Sequence, residues 1–328
     1  MRLLVLGGTR FVGRHVVEAA LARGHEVTLF TRGKTNPDLF PNVAHLQGDR
    51  DAGDLEALKG HTWDAVIDTC GYIPRVVRQS AELLRGAVDR YLFISTISVY
   101  ADPITAGQDE HAALQKLEDE SVEEVTGETY GGLKVLCELA AQSVFGEKAI
   151  IVRPGMVVGP HDPTDRFTYW VRRVAQGGEV LAPGTPERPV QMIDGRDLAA
   201  FQLHLLEAGI VGVYNATGPS EPYTWGTWLD GMRVGDARFT WIDDAWLGAH
   251  EVTGGDLPFW VPEQYADIFA VSVQRGISAG LSFRPFAETV RDTRDWDAAR
   301  PADTQRKGGL SPERESALLK QWHGEQGG

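Results

Sequence analysis

Residues 3–13 read LLVLGGTRFVG: four apolar residues, a glycine turn, then the start of a helical pattern. A short apolar strand that turns through glycine straight into a helix is the opening unit of a parallel α/β sheet. The unpaired N–H groups of the first helical turn and the helix dipole converge at that point, which makes it an anion site. Gly7 permits the tight turn and Gly13 lets the helix pack closely on the sheet, while Thr9, Arg10, Phe11 and Val12 line the loop between them. Arg10 stands where the commonest form of such a loop has a further glycine. A purely structural strand–helix turn is the plain alternative.

The rest of the first half repeats the pattern. GRHVVEAALARGH is a helix closed by Gly24; EVTLFTR, VAHLQGD and WDAVIDTCG are strands; RVVRQSAELLRGAV is a helix and RYLFISTISVY a fifth strand. Strands apolar on both faces and separated by helices predict a doubly wound parallel sheet of the Rossmann type. Residues 101–129 form an acidic excursion too long for an ordinary connection, expected to be functional or partly helical. YGGLKVLCELAAQSVF then resumes as a helix and KAIIVRPG as a strand. Past about residue 160, Pro- and Gly-rich pieces alternate with short elements, which predicts a smaller C-terminal substrate lobe. The expected division is a dinucleotide-binding domain over 1–160, with return segments near 190–217 that include GVYNATGP, and a substrate lobe over most of 161–328. Near the end, Ser311 and Pro312 are placed as N-cap and first residue of a helix.

Composition narrows the function. The 328 residues carry 32 Lys+Arg against 46 Asp+Glu, a net charge of -14, which repels nucleic-acid backbones at long range. An anionic ligand therefore needs a local cation. The two cysteines, Cys70 and Cys137, are expected as reduced core thiols of a cytoplasmic protein. No apolar run reaches the ~20 residues of a membrane span, and a strand at residue 2 leaves no room for a signal peptide.

The second strand ends some 20 residues after the glycine turn, at Thr31-Arg32 rather than at an acid. An acid there pairs with the ribose 2′-hydroxyl of NAD, whereas an arginine accommodates the 2′-phosphate of NADP. Arg32, with Arg10 on the same side of the crevice, points to NADP as cofactor; NAD stays open, and so does the plain alternative of two surface arginines. Asp49, after the third strand, is placed either to accept from the adenine amino group or to serve a turn.

TYGGLK puts Tyr130 and Lys134 four apart at the start of a helix, hence on one face. An ammonium beside a phenol favours the phenolate and lowers a pKa otherwise near 10. Ser95, Thr96 and Ser98 in ISTISVY offer a hydroxyl to complete the set. Taken alone, such a pair is common on helices.

In combination these residues are specific. GGTRFVG, GD at 48–49, STISVY, YGGLK, RPGMVVGP at 153–160 and RDLAAF at 196–201 resemble, in order and spacing, the extended short-chain dehydrogenase/reductase family, the NAD(P)-dependent epimerase/dehydratase group. The resemblance implies proton and hydride transfer at a hydroxyl or carbonyl carbon, with Tyr130 as proton carrier, Thr96 as the catalytic hydroxyl and Lys134 also holding the nicotinamide ribose. It places Gly71 against the cofactor, unless Gly71 is simply a turn glycine. Arg50, Cys70 and Arg153, within or beside the matching motifs, complete the expected cofactor contacts.

Departures limit the substrate. Met156 stands where nucleotide-sugar members carry an asparagine, and Val190 where they carry an arginine, with Arg188 two residues away as a compensating cation. GPHDPTDRFTYW sets His161, Asp162, Arg166, Tyr169 and Trp170 at the expected mouth of the substrate cleft, the two aromatics more simply read as lobe packing. Expected substrate contacts are Ser98, Met156, Arg166 and Arg188. The reading is an NADP-dependent oxidoreductase acting on a small molecule, with no nucleic-acid partner, no membrane and no metal, and with homodimerisation left open. A nucleotide-sugar 4-epimerase or dehydratase is the alternative within the same chemistry. A non-catalytic dinucleotide-binding or RNA-associated scaffold is the alternative outside it.

Overall fold

The computed structural model describes residues 1–326. Its strands, in chain order, are β1 (Arg2–Leu6), β2 (Glu26–Thr31), β3 (Ala44–Gln47), β4 (Ala65–Asp68), β5 (Arg90–Ile94), β6 (Ala149–Pro154), β7 (Met156–Val158), β8 (Glu179–Pro183), β9 (Pro189–Val190), β10 (Met192–Asp194), β11 (Gly212–Ala216), β12 (Tyr223–Thr224) and β13 (Arg238–Ile242). The helices are α1 (Phe11–Ala22), α2 (Pro74–Leu84), α3 (Tyr130–Phe145), α4 (Arg166–Ala175), α5 (Gly195–Ala208), α6 (Trp225–Asp230), α7 (Asp244–Ala249), α8 (Gln274–Ser278), α9 (Phe286–Ala298) and α10 (Pro312–Gln326).

Seven strands form one sheet in the order β11-β6-β5-β4-β1-β2-β3, every neighbouring pair parallel. The winding reverses between β1 and β4, and the crevice above that switch point is where such sheets bind ligands. β1 shows why the sheet is buried on both sides. Leu3 and Val5 join the apolar layer under α1 and α5, while Leu4 and Leu6 join the layer under α2 and α3. Alternate side chains of a strand point to opposite faces, so a strand apolar at every position needs a helix layer on each. The fold is the Rossmann-type doubly wound sheet.

A second apolar body gathers around α4, α6 and β8, where the Trp170, Trp225 and Trp228 rings meet edge to face. Tyr169 and Trp170 are buried in it, so they pack the smaller lobe rather than face the cleft. β7 pairs with β10 between the two bodies. Among the described residues no helix is long and apolar enough to cross a membrane. Both cysteines are free thiols.

Most expected elements stand where the sequence puts them. α3 covers YGGLKVLCELAAQSVF, and the backbone N–H of Arg314 donates to Ser311 Oγ at 3.2 Å, capping α10. The helical reading of the acidic excursion is not met: residues 101–129 hold turns and, through Leu114, one antiparallel bridge to Tyr100, but no helix. It is pinned instead by individual contacts. Leu117 packs against Gly132, and the Glu123 carboxylate takes two hydrogen bonds from Arg75 on α2, at 2.7 and 3.0 Å.

Candidate active site

The glycine turn is sterically locked. Gly7 and Gly8 both have φ of +101°, and a Cβ on Gly8 would lie 2.7 Å from Leu29 Cδ2. On Gly13 a Cβ would lie 2.7 Å from the Gly8 backbone nitrogen, so α1 approaches the turn as closely as backbone permits. Gly8 was missed by the motif reading, although the doubled glycine was the signal for it. Arg10 is the exposed N-cap of α1 and, like Thr9, Phe11, Val12 and Gly13, lines a cleft of about 810 Å³ above the switch point.

The far side of that cleft is set by the ends of β2, β3 and β4. Thr31 and Arg32 lie at its rim with Lys34, and the Arg32 guanidinium stands 3.8 Å from the Asp51 carboxylate, both largely exposed. Asp49 lines the cleft while its Oδ1 accepts from the Asp51 N–H at 3.2 Å, so one oxygen serves the turn.

Arg50 lines the cleft, but its guanidinium is engaged inside the protein. Its guanidinium makes two 2.7 Å hydrogen bonds to Asp68, a third at 2.9 Å to Ser80 Oγ, and a 3.4 Å contact with Cys70 Sγ. Tyr91 adds an O–H donor to Asp68 at 2.6 Å. Burial opposes the charge on Asp68, but the Arg50 guanidinium holds its pKa below the ordinary carboxylate value. The residue is a buried brace that ties the Asp49 turn to β4. Cys70 reaches the cleft beside Gly7, its pKa pushed up by burial. Gly71 packs inward: a Cβ there would lie 2.6 Å from both Phe93 and Val77.

The chemistry-bearing side chains meet at the C-terminal end of β5. Thr96 starts a 3₁₀ turn over Ile97–Val99; its Oγ1 accepts from the Ser98 N–H at 3.1 Å and donates to Ser98 Oγ at 3.2 Å. Gly131 lets α3 settle on this turn, for a Cβ would fall 2.2 Å from the Ser98 carbonyl oxygen. Tyr130, Lys134, Ser95 and Thr96 all line the cleft, whereas Ser98 lies behind Thr96 and orients it. The Lys134 ammonium donates to the carbonyls of Gly71 (2.7 Å) and Ile94 (2.6 Å) and sits 4.1 Å above the Phe93 ring. Burial brings its pKa down to about 8.

Lys134 was expected to lower the Tyr130 pKa. In the structure burial pushes the phenol above its ordinary value, and the groups that oppose the rise are the Thr96 hydroxyl and the Arg166 guanidinium. Lys134 is held on backbone carbonyls instead. Tyr72, which no motif marked, stands half-exposed on the cleft wall with its ring 5.4 Å from Lys134 Nζ.

Two further expectations are corrected. Arg153 is buried away from the cleft, with hydrogen bonds to Glu138 at 2.9 and 2.6 Å and to the Tyr100 hydroxyl at 3.2 Å. Arg188 is bidentate on Asp244 in the smaller lobe, at 2.7 and 2.6 Å, and so does not replace the cation absent at the buried Val190. Met156 sits behind Arg166, whose Nη1 reaches Met156 Sδ at 3.4 Å. Arg166 itself is at the cleft, with Asp162 and Thr164.

Comparison with known proteins agrees with this fold. The chloroplast stem-loop binding protein of 41 kDa b from Arabidopsis thaliana is 25% identical over 237 residues, 66% of this chain and 58% of that protein. Among solved structures, human epimerase family protein SDR39U1 with NADPH superposes with a TM-score of 0.61 at 22% identity, over 90% of this chain and 99% of that one. UDP-glucuronic acid 4-epimerase from Bacillus cereus in complex with NAD superposes with a TM-score of 0.63 at 17% identity, over 90% and 96%. At these identities the structures speak for the fold alone. The NAD dependent epimerase/dehydratase family model matches residues 3–216, and the chain belongs to that family.

Proposed function

We propose that the protein is an NADP-dependent oxidoreductase acting on a hydroxyl or carbonyl carbon of a small metabolite. The observation that carries this reading is the convergence of Thr96, Tyr130 and Lys134 on one cleft wall, across from the locked glycine turn. The residues present fit a dinucleotide. Side chains at Gly7, Gly8 and Gly13 would collide with Thr69, Leu29 and the Gly8 backbone and force open the tight turn whose backbone faces the cleft, and Arg10, Arg32 and Lys34 line the same cleft as cations for a dinucleotide's phosphates. In this reading the glycine turn and Arg10 hold the pyrophosphate, Arg32 and Lys34 the 2′-phosphate, and Lys134 the nicotinamide ribose. The cofactor, when bound, supplies hydride exchange at the substrate carbon. Tyr130 moves the proton at the substrate oxygen, and the Thr96 hydroxyl orients that oxygen. Residues 1–160 with the returning 190–217 segment are assigned to the cofactor, and most of 161–328 to the substrate. The setting proposed is the cytoplasm, on the two free thiols.

The test is a survey of alcohols and carbonyl compounds followed by nicotinamide absorbance. The reading expects at least one compound whose turnover depends on NADP(H), and net cofactor conversion separates it from an epimerase that recycles its cofactor. The relative named for stem-loop binding suggests an RNA-associated scaffold, but a net charge of -14 opposes that.

A nucleotide sugar is expected to bind poorly. Met156 offers no hydrogen-bond donor, Val190 no charge, and Arg188 is committed to Asp244. Two missing charge-assisted contacts at about 1.5–3 kcal/mol each weaken binding by about two to four orders of magnitude. Calorimetry on the NADP-loaded protein should give millimolar constants for UDP- and dTDP-sugars. A micromolar constant would restore the epimerase reading.

Lys134 predicts a pH dependence. Its folded pKa lies near 8, below the ordinary 10.5, so it is cationic below pH 8 and neutral above. NADPH affinity should therefore fall as pH rises through 8. The unfolded lysine keeps its proton up to about 10.5, so linkage from this group raises stability between those pH values. Affinity lost above pH 8 with an undiminished melting temperature supports the ribose contact. Constant affinity across a range bracketing that folded pKa, from roughly pH 6.5 to 9.5, removes it.

A further inference from the structure

We infer that the outer wall of the cleft is built to hold a carboxylate beside a hydroxyl, so that the substrate is a hydroxylated carboxylic acid such as a sugar acid. The inference rests on the oxidoreductase reading and names the substrate class for the same site. It starts from a contrast among arginines. Arg50, Arg153 and Arg188 each grip a carboxylate with two nitrogens. Arg166, at the start of the ten-residue helix α4, pairs with no carboxylate among the described residues. Its Nε donates to Thr164 Oγ1 at 3.1 Å and its Nη1 to the weak acceptor Met156 Sδ at 3.4 Å. The guanidinium is thus positioned by its neighbours with no carboxylate in direct contact, and Asp162 reaches it only through Thr164.

The second observation is Asp162, which is 1% exposed and lines the same cleft. Its Oδ1 accepts from the Thr164 N–H at 2.9 Å and from Thr164 Oγ1 at 2.7 Å, while Oδ2 is buried with no partner. A buried carboxylate oxygen without a donor is costly and calls for one. Thr164 links the two groups: its hydroxyl donates to Asp162 and accepts from Arg166. A cation and a vacant acceptor are thereby held at a fixed spacing, and Arg166 lies close enough to Tyr130 to act on its phenol.

A guanidinium fork matches the two oxygens of a carboxylate, and an ionised carboxyl oxygen matches a hydroxyl donor. One molecule that bears both groups satisfies both residues. A phosphate would also suit Arg166, but its second negative charge would meet Asp162. A neutral sugar would leave the guanidinium unpaired.

The test uses NADP-saturated protein, calorimetry and thermal shift, with D-gluconate, D-glucuronate, D-glucose and glucose 6-phosphate as probes. At least one acid is expected to bind about tenfold or more tightly than glucose, and more tightly than the phosphate. Arg166→Met should erase that preference while NADP affinity is retained. Asp162→Asn should weaken the hydroxy acid and leave acetate unchanged; should that variant misfold, the partly exposed Arg166→Met still decides. Equal binding of glucose and the acids, tighter binding of the phosphate, no binding of either acid, or undiminished acid binding by Arg166→Met would overturn the inference. Binding is read without turnover, so the two readings fail separately. Acid binding without cofactor conversion sinks only the oxidoreductase reading, and turnover of neutral alcohols indifferent to Arg166 sinks only this one.

Discussion

Tyr130→Phe is expected to lower kcat by about 10²–10⁴-fold, the usual contribution of a positioned proton donor or acceptor, while leaving NADPH affinity within about twofold of wild type. The substitution removes one oxygen and keeps the ring, so α3 retains its packing and its first turn. What is lost, on the proposed mechanism, is the atom that moves a proton at the substrate oxygen. The free protein holds that phenol above its ordinary pKa by burial, which keeps it protonated and suited to donate in the carbonyl-reducing direction. Lys134→Ala should differ in kind. It removes the donor to the Gly71 and Ile94 carbonyls and the ribose contact together, so affinity and turnover fall in parallel. The comparison is made with any compound the wild type turns over, by steady-state kinetics and by NADPH fluorescence. Undiminished turnover in Tyr130→Phe would favour a non-catalytic scaffold.

The second large effect is on stability. Arg50→Met should cost about 3–5 kcal/mol, because it strands the Asp68 carboxylate in the core, where it has no access to water. Tyr91 can still donate one hydrogen bond, which does not neutralise a charge. The same substitution frees the Asp49 turn from β4, so adenosine affinity should fall with stability. Urea unfolding of Arg50→Met beside Arg50→Met/Asp68→Asn tests the cause. The double variant should recover much of the loss, since removing both charges leaves nothing uncompensated. A loss below about 1 kcal/mol in the single variant would contradict the account of this brace.

The parallel sheet could be read from the sequence because every strand of its centre is apolar at consecutive positions, a pattern with one common structural solution. The glycine turn, α3 and the Ser311 cap were legible for the same reason: each depends on residues within a few positions of one another. The misread residues depend on distant partners. Arg188 and Asp244 are 56 residues apart, and nothing local to Arg188 announces that its charge is engaged. Arg153 was carried into the cofactor site by its motif, but it serves Glu138 on α3. Lys134 was assigned to Tyr130 from helical spacing, which fixes the face but not the length of reach. Residues 101–129 stood out as a connection too long for an ordinary loop, and the structure shows why no element could be assigned to them. They are held by scattered backbone hydrogen bonds, such as Ala101 N–H to the Ala113 carbonyl and Gln115 N–H to the Val99 carbonyl, and by single side-chain contacts rather than by a repeating ladder.

The measurement closest to the central claim is a parallel fluorescence titration of wild type and Arg32→Asp with NADPH and NADH. A 2′-phosphate held by Arg32 and Lys34 predicts that wild type binds NADPH about tenfold or more tightly than NADH. The aspartate, placed to accept from a ribose hydroxyl and to repel a phosphate, should reverse that order. Tighter binding of NADH by the wild-type protein, or no binding of either dinucleotide, would contradict the account.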